Sequence, residues 1–160
     1  MTPRIESLPK TTLVGFRTQM SIAQNKTGEL WRRFMPQRHQ ISHVASEDFY
    51  SVEVYPDSVF FQQFDPTREF EKWAAVKVSE PENLPEGMEQ LVVPAGLYAI
   101  FLYRGKGSEA AAAYQYILGE WLPQSGYQLD DRPHLAVMGD KYQNESPDSE
   151  EELWVPIRRN

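Results

Sequence analysis

Apolar and polar positions change period several times along the chain, and each change marks an element. Leu13-Val14-Gly15-Phe16, following the turn signal Leu8-Pro9, predicts a strand within residues 5–18. A polar stretch at residues 21–25 interrupts it. From Thr27 the spacing becomes helical: Leu30, Trp31, Phe34 and Met35 fall on one stripe, with Thr27 at the N-cap position and Pro36 ending or kinking the helix. Residues 37–48 read as a polar connector. Phe49-Tyr50-Ser51-Val52-Glu53-Val54-Tyr55 is β-branched and aromatic, and predicts a strand. Turns at Pro56-Asp57 and Asp65-Pro66 bracket residues 59–64, and a further strand runs over residues 70–78.

The acidic, proline-rich segment 79–87 divides the chain into two halves. Beyond it, Leu91-Val92-Val93 and Leu97-Tyr98-Ala99-Ile100-Phe101-Leu102 read as a strand pair split by Pro94-Ala95-Gly96. Ser108 stands as N-cap before an alanine run at 110–113, the strongest helix former present. That helix carries Tyr114, Ile117, Leu118 and Trp121 and is expected to stop at Pro123. Strands at 133–138 and 153–157 follow, with a loop at 142–148 between them. The halves repeat: Phe34-Met35-Pro36-Gln37 matches Trp121-Leu122-Pro123-Gln124, Val52-Glu53-Val54 matches Leu135-Ala136-Val137, and Glu71-Lys72-Trp73 matches Glu152-Leu153-Trp154. Each half is β-α-β-β, and neither buries its apolar face alone. The expected fold is α+β: a duplicated β-α-β-β pseudo-twofold repeat forming an antiparallel sheet, with two main helices and a crevice between them. Residues 1–160 are expected to form a single domain, with halves at about 1–80 and 87–160.

Composition narrows the function classes. Cys 0 excludes disulfide scaffolds, thiolate zinc sites, iron–sulfur clusters and cysteine nucleophiles. Lys+Arg 16 against Asp+Glu 23 leaves a net charge of −7, which repels phosphate backbones and favours cationic partners, so no direct nucleic acid binding is expected. No run approaches the ~20 apolar residues of a membrane span, and the amino terminus lacks the apolar run of a signal peptide. A cytoplasmic protein with no membrane contact is the expectation. No metal or other cofactor is expected: His39 and His43 stand four apart, but in a polar connector after Pro36 with no third ligand near in sequence. His134 stands near Asp130 and Asp131 for pairing, without a serine or cysteine nucleophile in a recognisable turn. Glu150-Glu151-Glu152 reads as a solvated turn leading into the last strand.

Aromatic residues make up 12% of the chain, enough to line a pocket as well as fill a core. Trp31, Phe34, Tyr114 and Trp121 lie at helical spacings that suit either role. Trp73 and Trp154 occupy equivalent strands and face either the crevice or the core. Tyr98 sits in a central strand, where its hydroxyl needs a partner if buried. Glu53 stands between valines, and strand alternation puts Ser51, Glu53 and Tyr55 on one face and Tyr50, Val52 and Val54 on the other. Glu53 therefore faces either solvent or the crevice, where it is the pseudo-symmetric mate of Ala136. These residues are the candidate ligand contacts; no catalytic residue is assigned.

Four segments in order, Pro94-Ala95-Gly96-Leu97-Tyr98-Ala99-Ile100-Phe101 followed by Gly105, Trp121-Leu122-Pro123-Gln124-Ser125-Gly126-Tyr127, Asp131-Arg132-Pro133-His134, and Glu152-Leu153-Trp154-Val155-Pro156-Ile157, carry a wider likeness. Over about residues 3–158 the chain resembles the GyrI-like effector-binding domains, the ligand-sensing modules of many AraC-type and MerR-type regulators. The resemblance implies the duplicated fold and binding of hydrophobic, often cationic, small molecules in an aromatic pocket with a buried glutamate. Certain members hydrolyse cyclopropane-bearing natural products with that glutamate. This chain departs from the pattern twice. The repeat leaves no room for a helix-turn-helix segment, and Ala136 stands where the family carries its glutamate. The expectation is a standalone sensor or sequestering protein for an amphipathic, cationic organic ligand, a binder rather than an enzyme. Two alternatives stay open: a hydrolase of strained cyclopropane-type electrophiles, in which Glu53 or Glu152 substitutes, and an interaction or inhibitor module with a protein partner.

Overall fold

Pro9 and Pro94 set the topology of the sheet. Each interrupts what would be one long strand, because proline donates no ladder hydrogen bond. The computed structural model describes residues 1–62 and 65–160. In it the first interruption separates β1 (Arg4–Leu8) from β2 (Thr11–Met20), and β3 (Phe49–Val54) and β4 (Phe70–Lys77) complete the first half. The second separates β5 (Glu89–Val93) from β6 (Gly96–Arg104), followed by β7 (Tyr127–Leu129), β8 (His134–Met138) and β9 (Glu150–Arg159). All nine lie in one antiparallel sheet of order β1-β6-β9-β8-β3-β4-β2-β5, with β7 paired to β9. The expected pairing of β5 with β6 does not form. The halves exchange their first strands instead: β1 pairs with β6, and β5 with β2.

The order reads the same from either end once β1 is exchanged with β5, β2 with β6, β4 with β9 and β3 with β8. Val52 pairs with Leu135 at the centre, Trp73 pairs with Val52, and Trp154 pairs with Leu135. Each indole N–H donates to the glutamate two positions earlier, Glu71 and Glu152 respectively. The duplicated β-α-β-β fold is thus present, with its pseudo-twofold at the β3–β8 seam.

One face of the sheet carries the helices. α1 (Thr27–Gln37) buries Leu30 and Phe34 against Val14, Phe16, Ala74 and Val76. The second helical run comprises α2 (Ala111–Tyr116), a π-helical turn over Ile117–Trp121 and α3 (Leu122–Gln124). Its Ala113 and Ile117 pack on Ala99, Phe101, Leu153 and Val155. The other face gathers Leu13, Trp73, Val93, Tyr98, Ile100 and Leu135, with Leu8 and Trp154 against them. Leu8 pairs with Gly96 and Thr11 with Val93, so the two short proline linkers draw the sheet's opposite edges together over this second core.

Several expectations are corrected locally. Thr27 opens α1 without capping it. Ser108 does not cap a helix; it sits inside a 3-10 turn over Gly107–Glu109 that leads towards α2, and its N–H and hydroxyl donate to Glu145 at 3.2 and 2.7 Å. The second helical run ends at Gln124, one residue past the expected stop at Pro123, as α1 ends at Gln37, one past Pro36. Residues 59–64 fall partly in a 3-10 turn over Ser58–Phe61, while Gln63 and Phe64 lie outside the described residues. Glu150, Glu151 and Glu152 form part of β9, not a turn, because they pair with Arg104, Tyr103 and Leu102.

Candidate functional site

Between the two helices the sheet presents a row of small side chains. Ala74 pairs with Ser51, and Ser51 with Ala136, across β4, β3 and β8, all three buried on the helix-bearing face. The next row on that face is long and polar: Lys72 pairs with Glu53, and Glu53 with His134. Alternation along β9 puts Glu151 on this face as well, since it pairs with Tyr103 and lies two positions from Leu153, the partner of Ala136. Small residues flanked by long polar ones mark a candidate basin on this face, with α1 packed at one side and α2 at the other.

Glu53 is the centre of the basin. Its side chain is 17% exposed, and the Tyr55 hydroxyl donates to Oε2 at 2.8 Å. Lys72 Nζ, on a side chain 10% exposed, lies 3.8 Å from Oε1. Tyr55 is itself held among rings: Phe60 and Phe61 at 4.6 Å, Phe70 at 5.1 Å and His134 at 4.9 Å, edge-on. Burial pushes the Tyr55 and Tyr114 hydroxyls well above the usual range, and the nearby Glu53 charge adds to it. Burial brings the His134 imidazole down to about 4, against the pull of Glu53, so it is neutral at pH 7. Burial raises the Glu151 carboxyl, Lys72 opposes that, and Glu53 adds to it. A carboxylate oriented by a tyrosine in surroundings of low dielectric attracts a cation more strongly than one in water.

The structure brings only part of the expected set together. Glu53, Ala136 and Tyr114 share the basin. Trp31 stands at the α1 wall, half-buried, edge-on to Phe34 at 5.6 Å and to Phe49 at 6.2 Å. Phe34 is core, fully buried and edge-on to Phe16 at 6.4 Å. Trp121 packs on Phe101 at 5.2 Å and stacks on Tyr127 at 6.4 Å, over β6 and β7. Trp73, Tyr98 and Trp154 lie on the opposite face of the sheet, one position out of phase with the basin residues beside them. The Tyr98 hydroxyl donates to the Pro133 carbonyl at 2.8 Å, and burial pushes it up to about 12. His134 faces Glu53, not the aspartates; Arg132 Nε donates to Asp130 at 2.8 Å instead. His43 lies 3.3 Å from Glu82 in an exposed group with Glu80, and His39 takes no part in it. Lys72, Tyr55 and Glu151 were missed as site residues. Lys72 carried the signal: with Phe70, Ala74 and Val76 it keeps a period of two, which puts it on a buried face as surely as Glu53.

Residues 1–158 match the GyrI-like small molecule binding domain. The chain belongs to the GyrI-like family. This GyrI-like chain is 29% identical to the transcriptional regulator BrlR of Pseudomonas aeruginosa over 160 residues, 98% of the chain and 56% of BrlR. It is 30% identical to a DNA gyrase inhibitor of Erwinia billingiae over 100 residues, 59% of the chain and 62% of the inhibitor. The matches therefore cover 56% and 62% of these relatives' lengths. Among solved structures, its fold is similar to that of SAV2435, solved bound to tetraphenylphosphonium, with a TM-score of 0.72 at 15% identity over 99% of this chain and 94% of that one. No helix among the described residues is long and apolar enough to cross a membrane.

Proposed function

We propose that this GyrI-like domain captures an amphipathic organic cation in the basin between its helices, as a sensor or sequestering module of the cytoplasm. Glu53 carries the reading: a carboxylate 17% exposed, oriented by Tyr55, on the floor of an aromatic-walled crevice. A cation about 4 Å from a carboxylate gains ~4 kcal/mol at an effective dielectric near 20, before desolvation costs. Each aromatic face adds ~0.5–2 kcal/mol, and Trp31 and Tyr114 are placed to supply them. The complex of SAV2435 with tetraphenylphosphonium supports the same class of ligand. The net charge of −7 draws cations in and repels phosphate backbones, consistent with a ligand site that makes no nucleic-acid contact of its own.

The test compares two ions of one shape and opposite charge. Isothermal titration of the full chain should show binding of tetraphenylphosphonium and none of tetraphenylborate. Glu53→Gln should weaken the phosphonium by about tenfold or more, since a lost charge contact of this kind is worth over ~1.4 kcal/mol. Equal affinity for both ions rejects the cationic reading.

A further inference from the structure

Lys72 is an unexpected neighbour for a carboxylate that receives cations. Its ammonium lies 3.8 Å from Glu53 Oε1 on a side chain only 10% exposed, and a charge so buried needs a partner. Glu53 is that partner when the crevice is empty, so an incoming cation competes with a cation already present. A second carboxylate, Glu151, stands on the same face of the sheet, two positions along β9 from the partner of Ala136. The carboxyl of Glu151 responds to both Lys72 and Glu53, and Tyr114 feels both carboxylates. The row of Ala74, Ser51 and Ala136 lies between the Lys72 row and the β9 position of Glu151 on the same face. His134, which also faces Glu53, is neutral, and so are the Tyr55 and Tyr114 hydroxyls, so none of the three adds a charge.

Resting on the reading of the basin as a cation site, we propose that Lys72 is its resident counter-ion, and that Glu53, Lys72 and Glu151 together balance the floor for one added positive charge. The incoming ligand takes Glu53, and Lys72 turns to Glu151. Two carboxylates against one ammonium leave a single negative charge to neutralise, so the favoured ligands are lipophilic organic monocations. Neutral analogues leave that charge unpaired, and dications overfill the floor. Lys72 is thus a specificity-determining residue that need not touch the ligand.

The experiment is a charge-compensation cycle on the full chain, with tetraphenylphosphonium as the probe in isothermal titration and thermal melting as the check on folding. Glu151→Gln should weaken binding about tenfold and Lys72→Met should tighten it about tenfold, as one unit charge at this range implies. The double variant restores the single net negative charge and should return to within about threefold of the parent. Lys72→Gln repeats the second arm if the methionine variant does not fold. A double variant no tighter than Glu151→Gln alone, or unchanged affinity on removing Lys72, overturns the counter-ion role. Glu53→Gln separates the two levels. If it weakens the phosphonium while the double variant fails to recover, only the role of Lys72 falls; if it leaves binding untouched, the cation site falls with it.

Discussion

At His134 the protein holds a neutral imidazole between Glu53 and the rings of Tyr55 and Phe61, and that has a consequence for stability. Its value when folded, about 4, lies below the 6.5 of an unfolded chain. Between those values the unfolded state takes up a proton that the folded state refuses, so the stabilisation is full above 6.5 and is lost as pH falls towards 4. Over that window the linkage amounts to at most roughly 3 kcal/mol. Glu151 runs the other way: its raised carboxyl favours the folded state below 4.5 and loses that contribution as pH rises through its folded value. Urea unfolding of the parent between pH 7.5 and 4.5 should therefore show falling stability, and His134→Gln should flatten the slope. Equal slopes for both proteins would place the imidazole in water. Much of this site was open to alternation in the sequence, which put Ser51, Glu53 and Tyr55 on one face. The same alternation places Trp73 and Trp154 on the opposite face, since each follows a basin-phase position by one residue. Likeness between the halves shows that the two tryptophans are equivalent and leaves open which face they take.

Elements were best forecast where local chemistry and tertiary packing agree. The β-branched run of β3 and the period-two pattern of β4 are strands because one face meets helices and the other a second core. Forecasts failed where a distant partner wins: Glu145 takes Ser108 from its capping role, and pairing with β6 turns the three glutamates of β9 from a turn into strand. The three residues of β7 owe their extended form to β9 alone. Two glycines show how differently one residue type serves its element. At Gly119, inside the π-helical turn, an added Cβ meets nothing within 4 Å. Gly119→Ala should stabilise by ~0.5–1 kcal/mol, raising the melting temperature by about 2–4 °C per kcal/mol. At Gly15 in β2 an added Cβ would lie 1.9 Å from the Ala74 carbonyl oxygen, a backbone atom that cannot step aside. Gly15→Ala should force β2 from β4 and cost more than ~2 kcal/mol. Calorimetry of both variants checks the pair, and similar melting temperatures for the two would contradict this account of the β2–β4 approach.

Across the whole molecule the two repeats are interleaved rather than stacked. The repeat was visible in the order of motifs, but the exchange of first strands was not, because nothing local to Pro9 or Pro94 says which half a strand will pair with. The exchange sets how the chain folds. Among the described residues β2 needs β5 at one of its edges, β3 needs β8, and β1 pairs with β6, so the seams of the first half other than β2–β4 and β3–β4 lie against the second. The core behind the sheet is likewise shared: Leu13, Val52 and Trp73 come from one half and Val93, Tyr98 and Leu135 from the other. We therefore propose residues 1–160 as one cooperative unit, with the basin existing only when both halves are in place, since Glu53 and Lys72 come from one and Glu151 and Tyr114 from the other. A fragment of residues 1–86 retains α1 but exposes the inner face of β2, β3 and β4, and an apolar sheet face without its mate does not hold a native fold. The expected result is a fragment that aggregates or binds hydrophobic dye without a cooperative melt. Mixing it with a fragment of residues 87–160 should restore both the melt and phosphonium binding, because the seams are intermolecular pairings once the linker is cut. A soluble first-half fragment with a sharp transition of its own would show that the exchanged strands decorate two independent folds.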